Sequence, residues 1–144
     1  MTQSQLENIV RQAAEAHGID PALACAVVHH ESANWKQWSC RYEPGFYERY
    51  ISKMPFSFTE KTMRSTSFGL FQVMGQVARE FGFTGDYLTE LLDPLINAEF
   101  GCRKLARELK KANGDVRKAL LAYNGGGDPD YPDKVLRHLE TYKL

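Results

Sequence analysis

The stretch DPALACAVVHHES, residues 20–32, has the pattern of a single buried helix. Asp20 is a preferred N-cap residue, and Pro21 is well suited to the first helical position. Every residue from 22 to 28 is apolar, so the helix presents no polar face until its last turn. A helix that is apolar on all sides is usually buried inside a protein. We therefore predict that this helix lies at the centre of the molecule and carries Glu31 at its carboxyl end.

Helical patterns account for most of the remaining chain. Apolar residues recur at helical spacing near the amino terminus, again in residues 71–81, and in a long segment that begins at Asp93. A shorter helix is predicted to follow Asp115, and a last one to begin near Pro132. No internal repeat and no convincing hairpin is recognisable. The predicted fold class is mainly α, with residues 1–144 forming a single domain.

Residues 33–65 form a stretch of a different kind, in which helical periodicity is lost. Its aromatic side chains are Trp35, Trp38, Tyr42, Phe46, Tyr47, Tyr50, Phe56 and Phe58. A loop-rich stretch of this length is unusual in a compact domain and is often functional. We predict an aromatic, loop-rich insert that follows the central helix.

Composition and charge exclude several classes of function. The 18 basic and 18 acidic residues cancel, so the chain lacks the positive field with which nucleic-acid-binding proteins attract phosphates. No apolar stretch is long enough to span a bilayer, and the amino-terminal segment lacks the apolar run of a signal peptide. We therefore expect a monomer that is made in the cytoplasm without an export signal, and that neither binds nucleic acid nor inserts into a membrane.

No metal or cofactor site is expected from the sequence. The three cysteines do not have the spacing of a zinc site, and incidental thiols are the simpler interpretation. The adjacent His29 and His30 point about 100° apart on a helix, which does not suit a shared metal ion. The acidic residues Asp128, Asp130 and Asp133 lack the glycine and the terminal glutamate of a calcium-binding loop, which favours a solvated turn.

Glu31 is the first candidate for catalysis. The negative end of a helix disfavours an ionised carboxylate, and apolar neighbours remove its solvation. Both effects raise the pKa of a glutamate towards the range in which it donates a proton near neutral pH. By position alone, however, an ordinary surface glutamate on the last turn of a helix is the favoured interpretation.

The stretch STSFGLFQV, residues 65–73, places a glutamine inside an apolar run. A primary amide that is removed from water must find hydrogen-bond partners or cost free energy. Gln72 therefore either faces solvent or lines a place where a polar ligand docks.

Four motifs occur in order along the chain: Glu31-Ser32, then Gly69-Leu70-Phe71-Gln72, then Ala122-Tyr123-Asn124, then Tyr131 followed by Lys134-Val135-Leu136. In this order and spacing the chain resembles the lytic transglycosylases, a family of peptidoglycan-cleaving enzymes related to goose-type lysozyme. The aromatic insert and the sequence of residues 66–75 are most similar to those of phage or prophage members. Two departures are Phe71, where the family usually has Met, and Gly125 to Gly127, where family members often have Ala-Gly.

The resemblance implies a lysozyme-like α-helical domain with a substrate cleft. It implies that Glu31 is the general acid and then the base, while the 6-hydroxyl of the muramic sugar attacks the anomeric carbon and forms a 1,6-anhydro ring. It implies that Tyr123 orients the Glu31 carboxyl through its phenol, and that Asn124 frames the substrate groove. Ser32 and Tyr131 are further substrate-site residues by the same resemblance.

The same resemblance implies a role for each residue of the stretch 69–73. Gly69 would let the backbone approach a sugar, and Leu70 and Val73 would point inward. Phe71 would form a wall of the cleft, and Gln72 would present its amide to an N-acetyl group or a sugar hydroxyl.

Two other interpretations stay open. Glu43 or Glu60 lies in or near the insert and could act as a second carboxylate, which would make the protein a muramidase that releases a reducing sugar. A non-catalytic wall-binding or virion module with the same fold is the other possibility. In each case the expected partner is peptidoglycan, which the protein would reach in the cell wall or from within a virion. The charged helix face from Lys104 to Lys111 is expected to be solvated.

Overall fold

A computed structural model describes residues 1–144, and it confirms the prediction of a mainly α fold. The α-helices are α1 (Gln3–Ala16), α2 (Pro21–Glu31), α3 (Pro44–Phe46), α4 (Phe58–Arg64), α5 (Gly75–Glu80), α6 (Pro94–Lys111), α7 (Val116–Asn124), α8 (Tyr131–Leu136) and α9 (Leu139–Tyr142). A π-helical segment (Tyr47–Ile51) follows α3, and a 3₁₀ helix (Leu88–Leu92) precedes α6. The strands are β1 (Cys40–Tyr42), β2 (Thr66–Phe68) and β3 (Val73–Met74).

Helix α2 is central, as predicted. The side chain of Asp20 caps it by accepting a hydrogen bond from the backbone N–H of Ala22 at 3.0 Å. Every residue from 22 to 28 is buried, because α1, α8 and α9 pack around the helix. Helix α6 packs on both α1 and α7 and completes the helical half of the molecule. None of the helices combines the length and the apolar character that crossing a bilayer requires.

Most of the predicted helix boundaries are confirmed by their caps. Asp93 and Asp115 accept backbone hydrogen bonds at the starts of α6 and α7. Gly125 ends α7 with a left-handed backbone (φ 84°), a conformation that glycine adopts at little cost. The carboxyl-terminal segment differs from the prediction, because it consists of two short helices, α8 and α9, rather than one.

The aromatic insert is more regular than expected. Residues 33–65 contain β1, α3, the π-helical segment and α4, so the predicted loop-rich insert also carries short regular elements between its turns and loops. These elements are too short to produce a recognisable hydrophobic period in the sequence. Many of the aromatic rings remain on the surface: Trp38, Tyr42, Tyr50, Phe56 and Phe58 are exposed. Trp35 is the exception, because it is buried and its indole N–H donates to the Tyr142 hydroxyl at 2.7 Å.

A small antiparallel sheet, with strand order β1-β2-β3, lies beside the helices. Cys40 pairs with Phe68 between β1 and β2, and Ser67 pairs with Met74 between β2 and β3. The sequence predicted no hairpin, and that prediction was wrong. Strands of two or three residues show no alternation that sequence inspection can detect.

The turn between β2 and β3 is held by Asn97, a fully buried residue of α6. Its side-chain carbonyl accepts from the backbone N–H of Phe71 at 2.8 Å. Its amide nitrogen donates to the carbonyls of Phe68 at 2.7 Å and of Leu91 at 2.8 Å. Gly69 has a φ of 71°, and a Cβ there would lie 2.5 Å from the Asn97 amide nitrogen. Asn97 therefore requires a glycine at this turn, and the predicted reason, close approach of a sugar, is not needed to explain it.

Candidate active site

A cleft of about 550 Å³ opens between the insert and the helical half of the molecule. One side consists of Arg41, Glu43, Phe46, Ser67, Met74 and Val77, from β1 to α5. The other side consists of Lys104, Ala122, Tyr123, Asn124 and Gly125, from α6 and α7. Glu31 and Gln72 complete the lining. The arrangement suits an elongated polar ligand, because the cleft is open and has charged groups on both sides.

Glu31 occupies the last turn of α2, where the apolar central helix reaches the cleft. Burial raises the pKa of its carboxyl above the ordinary value of 4.5, while the hydrogen bond from Tyr131 and the charge of Lys104 partly oppose that rise. A carboxyl group in this environment keeps its proton to a higher pH than a solvated one and can donate it to a bound ligand.

Tyr131, rather than Tyr123, holds the Glu31 carboxyl. The Tyr131 hydroxyl donates a hydrogen bond to Glu31 Oε2 at 2.6 Å. Tyr131 lies at the start of α8 and is buried. Burial raises the pKa of its phenol far above the usual range, so the hydroxyl remains a donor at every pH at which the protein works. Tyr131 holds Glu31 through its hydroxyl and does not itself line the cleft.

The predicted hydrogen bond from Tyr123 to Glu31 was therefore wrong. The Tyr123 hydroxyl instead donates to the backbone carbonyl of Phe71 at 2.7 Å, which ties α7 to the β2–β3 turn. The Tyr123 residue still lines the cleft, and its phenol pKa is raised well above 10.0 by burial. Both tyrosines are buried helical residues, and only tertiary packing decides which of them reaches Glu31.

Ser32 and Phe71 were expected in the substrate site and are both fully buried instead. The Ser32 hydroxyl donates to the carbonyl of Val28 and accepts from the N–H of Trp35, at 2.6 and 2.8 Å. It thereby supports the left-handed backbone of residues 33–35 and determines where α2 ends. The Phe71 ring packs directly on Gly101 of α6, where a Cβ would overlap it. Both residues therefore position the site and do not line it.

Gln72 does line the cleft, but its amide nitrogen is already engaged. It donates to the carbonyls of Ser39 at 3.2 Å and of Gly69 at 3.0 Å. These bonds join the segment before β1 to the β2–β3 turn and stabilise the left-handed backbone of Gln72 itself (φ 48°). Both hydrogen bonds use the amide nitrogen, so the predicted contact with an N-acetyl group or a sugar hydroxyl falls to the amide oxygen. The buried flanking residues Leu70 and Val73 point inward as predicted.

Asn124 and Glu43 are both placed in the lining of the cleft. The Asn124 side-chain oxygen accepts from the N–H of Asp128 at 2.9 Å and shapes the glycine-rich loop after α7. Glu43 lies on the opposite side and is paired with the exposed Arg41 at 3.1 Å. Glu60 lies outside the cleft, so its predicted role as a second carboxylate was wrong. It is held by Arg64 and Arg79, whose hydrogen bonds lower the pKa of its carboxyl.

Lys104 is a cleft residue that the sequence analysis missed, because its neighbours on α6 are charged and suggested a solvated face. Its Nζ donates to the carbonyl of Tyr123 at 2.8 Å and lies 4.1 Å from the centre of the Tyr123 ring. Burial lowers the pKa of the ammonium group, while the charge of Glu31 opposes that shift. A signal was present: Asn97, Gly101 and Lys104 follow one another at helical spacing on the inward face of α6.

No group of three or more His, Cys, Asp or Glu side chains is arranged to hold a metal ion. His29 stacks on His138, with ring centres 3.8 Å apart, and its Nδ1 lies 2.7 Å from the Tyr142 hydroxyl. Asp128 and Asp133 are paired with Lys134 and Arg117 on the surface. These residues are therefore occupied in packing and in ion pairs.

Comparison with known proteins gives two matches for this chain. A relative from Enterobacteria phage PRD1, described as a "Transglycosylase", is 37% identical over 79 residues. The match covers 49% of this chain and 28% of the phage protein, so the chain spans only a part of that relative's length. No solved structure gives a significant match. The family model for the transglycosylase SLT domain matches residues 8–134, a range that includes every one of the four motifs except the last two residues of the fourth. The chain therefore belongs to the transglycosylase SLT domain family.

Proposed function

We propose that the protein is a lytic transglycosylase that cleaves the β-1,4 bond between N-acetylmuramic acid and N-acetylglucosamine in peptidoglycan. The observation that carries the proposal is the Glu31 carboxyl, which lines the cleft of a family member, is desolvated, and is oriented by the Tyr131 hydroxyl at 2.6 Å. This is the environment that a general acid needs near neutral pH.

The reaction requires two proton transfers, and Glu31 takes part in both. Glu31 donates its proton to the glycosidic oxygen, and the bond from that oxygen to the anomeric carbon breaks. The 6-hydroxyl of the same muramic sugar then attacks the cationic anomeric carbon. The proton of that hydroxyl passes to the Glu31 carboxylate and restores the acid. No water is consumed. A hydroxyl tethered within the sugar has a large effective concentration, so a second carboxylate to activate water is not required.

Lys104 supports both halves of this cycle. Its ammonium group lines the cleft with Glu31 and stabilises the carboxylate that forms after the first proton transfer. Burial favours the protonated form before that transfer. Burial raises the pKa of Glu31 and the charge of Lys104 lowers it, so Glu31 can both donate a proton and accept one.

The product tests the proposal directly. We expect the glycan released from purified wall to end in 1,6-anhydromuramic acid, which is lighter than a hydrolytic end by one water, about 18 Da, as mass spectrometry would show. The Glu43→Gln variant should form the same product, with any loss in rate coming from weaker positioning of the strand.

Glu43 is the specific reason to keep muramidase activity as the alternative, because it is the other carboxylate in the cleft. Reducing-end muramic acid as the main product, lost in Glu43→Gln, would establish a two-carboxylate hydrolase instead. A wall preparation that keeps its turbidity in the presence of the protein, although the protein binds it, would indicate a non-catalytic wall-binding module.

Exchange of Tyr131 for phenylalanine should alter the pH profile. The hydrogen bond from Tyr131 lowers the pKa of Glu31, so its loss raises that pKa further. Because Glu31 must be protonated to act, activity declines as the pH rises through its pKa, and the alkaline limb of kcat/KM should move to higher pH in Tyr131→Phe. The value of kcat should fall, because the carboxyl is no longer oriented.

Tyr123→Phe is the matched control for Tyr131→Phe. It removes the same atom from a buried tyrosine of the same site, but that hydroxyl serves the Phe71 carbonyl. We expect a lower melting temperature and an unchanged alkaline limb. A shift of that limb in Tyr123→Phe, and none in Tyr131→Phe, would contradict the assignment.

A further inference from the structure

A second depression, of about 350 Å³, adjoins the cleft on the side of the insert. Phe46 and Val77 line both spaces, so the two are direct neighbours on the surface. The remaining apolar lining comes from Tyr50, Ile51 and Met54. We call this surface, formed by these five residues, the aromatic shelf.

The rings of the aromatic shelf are open to a ligand. Tyr50 is 55% exposed, whereas the next residue, Ile51, is fully buried. Its ring is 5.0 Å from the ring of Phe46, at an angle of 50°, so the two rings form one continuous apolar face. Exposed aromatic residues are costly to solubility when they have no partner, and adjacent ones that border a binding cleft mark an interaction surface.

The rim of the shelf is polar. The exposed carboxylate of Glu80 and the side chain of Gln76 border the apolar face. A pyranose ring has the matching character, because its C–H face is apolar and its edge carries hydroxyl groups. Aromatic rings contact the first of these, and the carboxylate of Glu80 can accept hydrogen bonds from the second, whereas the amide oxygen of Gln76 already accepts from Arg64 at 3.0 Å and leaves its amide nitrogen as a donor.

We propose that the aromatic shelf is an additional glycan-binding subsite, which holds a sugar of the same strand that occupies the cleft. This inference rests on the proposed function, because the shelf shares Phe46 and Val77 with the cleft, and a glycan strand that fills the cleft reaches the shelf when it extends past these two residues. The subsite favours long glycan strands over short fragments and holds them against the insert during cleavage.

Binding of oligosaccharides of two lengths tests the subsite without catalysis. The Glu31→Gln protein is titrated with chitobiose and with chitohexaose, and binding is followed by NMR and calorimetry. Tyr50→Ala in this background should weaken chitohexaose binding by about 3- to 10-fold and leave chitobiose binding unchanged, because only the longer ligand reaches the shelf. Tyr50→Phe keeps the ring and should restore most of the affinity for chitohexaose.

Phe58→Ala is the matched control, because Phe58 is another exposed aromatic residue of the insert, 73% exposed, and lines neither space. It should change neither affinity. Equal losses for both oligosaccharides in Tyr50→Ala would show that the residue acts only through Phe46 and the cleft, and would overturn the subsite. Resonance shifts at Tyr50 and Met54 with decanoate but not with chitohexaose would assign the surface to an acyl chain and overturn it as well.

A kinetic measurement on purified wall provides the second readout. In the protein with Glu31 intact, Tyr50→Ala should raise KM for wall glycan with kcat nearly unchanged, since it removes binding that is equal in the ground and transition states. An unchanged KM would overturn the subsite. Length-dependent binding through Tyr50 by a protein that fails to cleave wall would leave the subsite in place and reject the proposed enzyme, so the two failures are distinguishable.

Discussion

Glu31→Gln is expected to abolish wall cleavage. The amide has nearly the same shape as the carboxyl and still accepts a hydrogen bond from Tyr131, but it cannot deliver a proton. General acid catalysis contributes about 10²–10⁴-fold to a rate, and in this mechanism the later return of the proton is lost with it. Turbidity loss of a wall suspension and mass analysis of the released fragments measure the effect.

The control for this substitution is Glu15→Gln, which exchanges an exposed glutamate that also lies in the last turn of its helix. It should leave cleavage unchanged. Cleavage near the wild-type rate by Glu31→Gln would remove Glu31 from the mechanism and leave Glu43 as the acid to be tested in the cleft.

Stability should change in the opposite direction to activity. The folded-state pKa of Glu31 is raised above its ordinary value of 4.5, so the folded protein binds this proton more tightly than the unfolded chain. The wild type therefore loses stability as the pH rises from about 4.5 through the folded-state pKa. The glutamine variant has no such loss. We expect its melting temperature to be at least that of the wild type above this window, and the difference to disappear below pH 4.5.

Asn97→Ala is expected to be the most damaging substitution for the fold. It leaves the N–H of Phe71 and the carbonyls of Phe68 and Leu91 without their partner, in a place where no water is available. Each unsatisfied buried group costs about 1–3 kcal/mol. A destabilisation of about 3–5 kcal/mol follows if neighbouring groups relax in part. The melting temperature should fall by about 10 °C or more.

Two further variants sharpen this prediction. Asn97→Asp keeps the acceptor for Phe71 but turns a carboxyl oxygen towards two carbonyls, so it should be no better tolerated than alanine. Asn8→Ala exchanges an exposed asparagine of α1 and should change the free energy of unfolding by about 0.5 kcal/mol or less. Chemical denaturation measures all three, and an Asn97→Asp protein as stable as the wild type would contradict the proposed role of the amide.

The central helix and most of the helix boundaries could be predicted from the sequence because their causes are local. A cap is formed between residues two or three positions apart, as with Asp20, Asp93 and Asp115. An unbroken apolar run such as residues 22–28 gives the helix no polar face that could be turned towards solvent. The strands could not be predicted in the same way, since the two or three residues of each are held by partners that lie up to 28 positions away, as Cys40 and Phe68 do.

The candidate site, like the fold, depends partly on local sequence and partly on residues that are distant in the chain. The sequence by itself determined the family through four ordered motifs, and it made Glu31 the candidate acid because Glu31 belongs to the first motif and ends an apolar helix. Only the tertiary structure decided the partners of that acid. Tyr131 lies 100 positions from Glu31 and Lys104 lies 73 positions away, and the packing of α8 and α6 brings both of them close to Glu31. A side chain that is supported across such a distance has no local signature, because the hydrogen bond of Tyr131 and the burial of Lys104 come into existence only when the helices meet.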